Sequence, residues 1–132
     1  MSPATVGIVL VSHSAGLAQG AAHLAGQVSG GTVTIIAAGG TDDDELGTSA
    51  AKVSRALSLA DSGAGIVVLP DLGSAVLTVR AVLDDHGDPG GVVLADAPFV
   101  EGAVAATVTA AAGGDLKAVA AAAEEARHAR KL

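Results

Sequence analysis

Four short apolar runs, rich in β-branched residues, recur along the chain at 6–11, 32–37, 66–69 and 92–95. Each gives way to a corner of Gly, Ser, Thr, Pro or Asp before a helical pattern begins. A run without polar alternation fits a strand covered on both faces, as strands are in a parallel sheet. Strands that alternate with helices are the pattern of βαβ units. The sequence therefore predicts an α/β fold: a doubly wound, mainly parallel four-stranded sheet with helices on both faces, an extra edge strand being allowed. Right-handed crossovers leave few orders for four such strands. The common one is 2-1-3-4, which makes strands 1 and 3 neighbours.

The first helix is expected over 15–28, with Leu17, Ala21, Leu24 and Val28 forming its apolar stripe, and Gly30-Gly31 ends it. Thr48 reads as the N-cap of a second helix to about Ala60, with Ala51, Leu57 and Leu59 among its apolar positions and Lys52 and Arg55 outward. A third runs from about Ser74 to Leu83, with Val76, Leu77 and Val79 apolar, and 84–90 reads as a solvated turn. Two more follow, over 100–112 and from Asp115 as N-cap into the basic tail.

Composition narrows the functions open to such a fold. Half the residues are hydrophobic, yet there is one Phe and no Trp or Tyr, so the core must be built from Ala, Val, Leu and Ile. Stacking platforms for nucleic-acid bases are absent, and a net charge of -7 opposes nucleic acid and anionic membrane surfaces alike. No cysteine means no disulfide, thiol nucleophile or thiolate metal site. No apolar run approaches the roughly 18 to 20 residues needed to span a bilayer, and the leading residues lack the Lys or Arg of a signal peptide. Residues 1–132 are expected to form one cytoplasmic domain with no nucleic-acid partner and no membrane insertion.

Functional groups in doubly wound sheets gather just past the carboxyl ends of strands. Here the first strand runs into Ser12-His13-Ser14 and the third into Pro70-Asp71. Neighbouring strands lie about 5 Å apart, so the two side chains can hydrogen-bond. A carboxylate on one ring nitrogen fixes the histidine tautomer and leaves the other nitrogen as a nucleophile. Helices starting at both corners would offer free N–H groups to a phosphoryl group. Ser12, Ser14, Gly73 and Ser74 are thus candidate phosphate contacts, although capping and turn formation account for them as well. His23, His86 and His128 read as surface.

Asp42-Asp43-Asp44-Glu45 invites comparison with a calcium loop, since Gly47 falls at position six counted from Asp42. However, Leu46 and Val53 occupy positions five and twelve, where an EF-hand needs oxygen ligands. The stretch reads as a solvated loop or a partner contact. Gly39-Gly40 lacks the lysine and spacing of a P-loop, and no GxGxxG follows the first strand. No nucleotide site, metal or cofactor is expected on this chain.

Ile8-Val9-Leu10-Val11-Ser12-His13-Ser14, Ala37-Ala38-Gly39-Gly40, Gly47-Thr48, Asp71-Leu72-Gly73-Ser74-Ala75 and Ala97-Pro98-Phe99-Val100-Glu101-Gly102 together resemble the mannose-type EIIA family. Within it they are most similar to the phosphotransfer subunits of phosphoenolpyruvate-dependent dihydroxyacetone kinases. The likeness covers essentially the whole chain, and the combination is specific where no single motif is. It implies that His13 accepts a phosphoryl group from the carrier protein HPr and passes it to ADP on a nucleotide-binding partner subunit. Dihydroxyacetone held by another kinase subunit would then be phosphorylated. Asp71 would orient the histidine. The longest family members append HPr-like and enzyme I-like domains, for which 132 residues leave no room; for a chain that is a complete gene product, separate proteins are expected to supply the phosphate. The resemblance also implies a homodimer, and 103–112, apolar nearly all round, points the same way. The rival readings are an EIIA component of a mannose-type sugar transporter and a non-catalytic α/β regulatory module.

Overall fold

The strand β1 (Gly7–Ser12) is buried along its whole length, and its side chains alternate between two cores. Ile8 and Leu10 face one, with Val67 and Leu69 of β3 (Ile66–Pro70) beside them. Val9 and Val11 face the other, with Ile66 and Val68. That two-sided burial is why neither strand shows polar alternation. The structure, a computed structural model, describes residues 4–85 and 91–132. In it β2 (Ile35–Gly39), β1, β3 and β4 (Val92–Leu94) form an all-parallel sheet in the order β2-β1-β3-β4, the order expected from the sequence.

One face of the sheet carries α1 (Ala15–Ser29), α4 (Phe99–Ala111) and α5 (Leu116–Glu125). The other carries α2 (Ala50–Ala60) and α3 (Gly73–Asp85). The sheet supplies the branched side chains and the helices supply mostly alanine: Ala18, Ala21 and Ala25 from α1, Ala103, Ala106 and Ala110 from α4, and Ala120 and Ala123 from α5. Small residues let the helices approach the sheet closely, which is how a core with almost no aromatic rings is filled.

This inverts part of the sequence reading. On α1 only Ala21 of the expected stripe is buried, while Leu17, Leu24 and Val28 are exposed. On α2 the inward residues are Val53, Ala56 and Ala60, with Ala51 and Leu59 outside and Leu57 half-buried. On α3 they are Ala75, Val79 and Val82, with Leu77 exposed and Val76 half-buried.

Boundaries also move. The second strand pairs over Ile35–Gly39 rather than 32–37, because Ala38 and Gly39 continue the ladder opposite Val11 and Ser12. Ser49 caps α2, its hydroxyl accepting from the Lys52 N–H, whereas the Thr48 hydroxyl meets that of Thr78 on α3 at 2.6 Å. Asp84 and Asp85 belong to α3. His86 and the rest of the expected turn lie outside the described residues. Ser14 and Asp115 cap α1 and α5, accepting from the N–H groups of Leu17 and Ala118.

Candidate active site at the ends of the first and third strands

The register of β1 against β3 sets Val11 opposite Pro70, and the Asp71 N–H continues that ladder onto the Val11 carbonyl at 2.9 Å. The residues leaving the two strands are thereby brought side by side. Oδ1 of Asp71 accepts from Nδ1 of His13 at 2.9 Å, and its Oδ2 accepts from the His13 backbone N–H at 3.0 Å. The Leu72 N–H adds a bond to Oδ1 at 2.7 Å and the Ser12 hydroxyl one to Oδ2 at 2.9 Å. Burial of Asp71 works to raise its pKa. The bonds from the His13 backbone and ring, Ser12 and Leu72 outweigh that, so the carboxyl lies below its ordinary value of 3.8. Asp71 is therefore ionised at neutral pH, and an acceptor on that side keeps the His13 proton on Nδ1.

With Nδ1 protonated, Nε2 carries the lone pair. It points to the Ser74 hydroxyl, which donates to it at 2.5 Å from the first turn of α3. The His13 side chain is 24% exposed and the Asp71 side chain 9%: the imidazole is reachable from solvent, and the carboxylate that accepts from it is largely covered. The N-termini of α1 and α3 both begin at this corner, adding partial positive charge where an anion would sit.

The six residues singled out from the sequence thus converge, with different geometry for each. Ser12 is fully buried, and its one hydroxyl hydrogen goes to Asp71 while its oxygen accepts from the Ser14 N–H at 3.0 Å. It has no hydrogen to offer a phosphoryl oxygen; it holds the carboxylate instead. Ser14 caps α1 and is half-buried, and Gly73 and Ser74 are exposed at the start of α3. His23 and His128 lie on α1 and in the turn Ala126–His128, away from this corner, and both are exposed.

A second layer around His13 was not legible from the sequence. The connection from β2 to α2 wraps the histidine backbone: the Gly40 N–H donates to the Ser12 carbonyl at 3.1 Å and the Gly47 N–H to the His13 carbonyl at 2.9 Å. Gly47 does so at φ 137, which favours glycine. Lys52, expected to point outward, is half-buried and anchors the same loop through the Gly39 carbonyl at 2.9 Å and Asp44 at 2.5 Å. Asp42 accepts from the Ser49 hydroxyl. The only sequence signal for this clamp was the glycine content of the loop. Among the described residues no cluster of three or more His, Asp or Glu could hold a metal, and no helix is long and apolar enough to cross a membrane.

A doubly wound parallel sheet bearing a carboxylate-oriented histidine at its switch point defines a class of domain suited to passing a group through one imidazole nitrogen. Comparison with known proteins identifies the class: the family model EIIA-man, described as the PTS system fructose IIA component, matches residues 7–120. The chain belongs to this family. It is 41% identical over 119 residues to the phosphoryl donor subunit DhaM of the PEP-dependent dihydroxyacetone kinase of Pantoea ananatis (strain LMG 20103), an alignment that covers 86% of this chain and 25% of that protein. Against the corresponding DhaM of dihydroxyacetone kinase 2 of Listeria innocua serovar 6a it is 36% identical over 105 residues, covering 78% of this chain and 84% of that one. The chain thus spans a quarter of the Pantoea relative and most of the Listeria one. The crystal structure of EF1359, a protein of unknown function, superposes with a TM-score of 0.82 at 35% identity, over 92% of this chain and 94% of that one.

Proposed function

We propose that residues 1–132 act as one domain, a phosphohistidine carrier of the cytoplasm. It would take a phosphoryl group from HPr on Nε2 of His13 and deliver it to ADP on the nucleotide-binding subunit of a dihydroxyacetone kinase. The observation that carries this reading is the oriented, partly exposed imidazole: Nδ1 committed to Asp71, Nε2 on the side of the exposed Ser74 hydroxyl. The names of the relatives favour the kinase over a sugar transporter as acceptor.

In the first step the Nε2 lone pair attacks the phosphorus. The bond from phosphorus to the donor histidine breaks, and its electron pair stays on the donor ring. His13 keeps its Nδ1 proton, so the phosphorylated ring is cationic, and the Asp71 carboxylate offsets that charge. Ser74 must release Nε2 as phosphorus approaches, and its hydroxyl is then placed to donate to a phosphoryl oxygen. In the second step a terminal phosphate oxygen of ADP displaces Nε2, whose lone pair is restored. Chemistry of this kind asks mainly for positioning and charge stabilisation, which suits so sparse a set of polar groups.

Incubation with radiolabelled phosphoenolpyruvate, enzyme I and HPr tests the reading. Wild type is expected to be labelled through an acid-labile bond, His13→Gln to remain folded and unlabelled, and His23→Gln and His128→Gln to be labelled normally. Undiminished labelling of His13→Gln would remove the assignment.

A further inference from the structure

Helix α2 opens Ser49-Ala50-Ala51-Lys52, with Ser49 as N-cap and its hydroxyl accepting from the Lys52 N–H at 3.1 Å. A helix that starts this way gains from Glu or Gln at the position of Lys52, whose side chain reaches back to the N-cap N–H, and from negative rather than positive charge in its first turn. A half-buried lysine there works against the helix. Its reason lies outside α2.

Nζ of Lys52 donates to the Gly39 carbonyl at 2.9 Å and to Oδ1 of Asp44 at 2.5 Å, within a loop that carries the consecutive carboxylates Asp42, Asp43, Asp44 and Glu45. Among the described residues this is the ion pair that the loop makes. The loop needs such an anchor, because its like charges repel one another and Asp44 stands at φ 62, in the left-handed region. Its turn closes through the Thr41 N–H on the Glu45 carbonyl and the Asp44 N–H on the Thr41 carbonyl, both at 2.9 Å.

The closed loop reaches the reactive corner on two sides. Its Gly40 and Gly47 N–H groups hold the carbonyls of Ser12 and His13, and the Thr48 hydroxyl that follows meets Thr78, one helical turn beyond Ser74 on α3. Asp71 fixes the imidazole about its own bonds, whereas the loop fixes the backbone that carries the ring and ties it to the helix whose Ser74 faces Nε2.

We infer that Lys52 is a positioning residue for phosphoryl transfer: by pinning loop 40–47 through Gly39 and Asp44 it holds the His13 backbone where Asp71 and Ser74 can both address the ring. The inference rests on the phosphocarrier reading above. Lys52 touches no reacting atom, so its removal acts through the placement of the imidazole, whichever donor brings the phosphoryl group.

The test compares labelling of His13 by phosphorylated HPr and by phosphoramidate, a small donor that needs no docking surface. Lys52→Gln, which suits the start of α2 and deprives the loop of its cation, should keep the helical circular dichroism and lose about ten- to hundred-fold with both donors by the same factor, since a misplacement of about 1 Å can cost about 10²-fold. Asp44→Gly leaves α2 untouched and suits φ 62, and it should lose rate in the same way; it carries the test alone should Lys52→Gln fail to fold. Lys52→Arg, with the charge and donors kept, should restore most of the rate. The ¹⁵N shifts of the His13 ring should report one tautomer, with the proton on Nδ1, in wild type and a mixture in Lys52→Gln. Val82→Ala, a core truncation toward the far end of α3, should lower stability and change neither rate nor tautomer. Lys52→Gln or Asp44→Gly labelled by phosphoramidate as fast as wild type would overturn the positioning role, whatever happens with HPr. So would an equal loss of rate in Val82→Ala, which would make the effect one of stability. A wild-type chain that phosphoramidate labels and HPr does not would remove HPr as donor and leave Lys52 to be judged by the small donor. Wild type labelled by neither would overturn the carrier reading, and the role of Lys52 with it.

Discussion

Nδ1 of His13 and Oδ1 of Asp71 stand 2.9 Å apart although the two residues lie 58 positions apart in the chain. The sheet order accomplishes this: a parallel pair places successive carboxyl ends at one edge, and only the reversal between β1 and β3 makes these two ends adjacent. Removing the carboxylate in Asp71→Ala lets the imidazole sample both tautomers and several rotamers, and leaves the phosphorylated ring without a counter-charge. Labelling of His13 by HPr should fall by about 10²- to 10⁴-fold, as loss of an orienting partner typically costs, with circular dichroism unchanged. A rate within two-fold of wild type would show that the pair does not govern transfer.

The same contacts make a prediction about acid stability. Asp71 titrates below 3.8 in the folded chain because four donated hydrogen bonds outweigh its burial. A carboxyl more acidic when folded than when unfolded contributes its stabilisation in full above the unfolded value. That contribution disappears as the pH falls through the folded value. Wild type should therefore exceed Asp71→Asn in unfolding free energy by a constant margin above about pH 5, and the margin should shrink below about pH 4. A margin that stays level into the acid range would count against the ionised, hydrogen-bonded carboxylate.

Ser74 occupies the nitrogen that the phosphoryl group would take, at 2.5 Å. The neutral bond to Nε2 that Ser74 gives up is worth about 1 kcal/mol and the bond to a charged phosphoryl oxygen that replaces it about 1.5 to 3, leaving about 1 kcal/mol net in favour of transfer. Ser74→Ala should accordingly slow labelling by roughly five- to ten-fold and shorten the lifetime of the phosphorylated histidine, with Ser74→Thr restoring both. Faster labelling of Ser74→Ala together with an unchanged lifetime would mean that the hydroxyl only blocks Nε2.

Strand order and the meeting of His13 with Asp71 were legible because the apolar runs of β1 and β3 continue to Val11 and Pro70 and then give way to polar groups. Few topologies can accommodate four such strands. The inward faces of the helices were harder to read, for a physical reason. Hydrophobic periodicity weights Leu17, Leu24 and Val28 above Ala18 and Ala25, but Ile8, Leu10, Val67 and Leu69 already fill the space above the sheet, and only alanine fits beneath the helix. Nor does spacing reveal how a hydroxyl is spent. Ser12 reads as a phosphate contact until its burial and its bond to Asp71 are seen.

Gly39 shows how closely the corner is built. A Cβ there would stand 2.4 Å from the Ser14 carbonyl oxygen and 2.8 Å from the Ala15 Cα, backbone atoms that cannot yield cheaply. Gly39→Ala must displace the start of α1 and with it His13. The expected cost is about 1 to 3 kcal/mol of stability, accompanied by slower labelling. Gly20→Ala provides the opposite sign, because a Cβ at that helical position meets nothing within 4 Å and should stabilise by about 0.5 to 1 kcal/mol. Denaturant midpoints that move the same way for both variants would contradict the packing of this corner.

The last prediction concerns assembly. Helix α4 buries Gly102, Ala103, Ala106, Thr107 and Ala110, with α5 closing one side. On its other side an apolar groove of about 600 Å³ stays open, lined by Val100, Val104, Ala105 and Val108 and by Ala126 and Ala129 of the tail. An open strip of small and branched residues suits a self-complementary contact about a two-fold axis, in which α4 of one copy covers α4 of the other. His13 lies at the carboxyl edge of the sheet and would stay free for its partners. Light scattering at micromolar protein should return twice the 12.5 kDa chain mass. Val108→Glu, with Val100→Glu as a second exposed site, should shift the chain toward monomer without loss of labelling; Val104, half-buried against the core, would confound assembly with folding. A monomer mass for wild type would reject the dimer, and a dimer untouched by both glutamates would reject this groove as its interface.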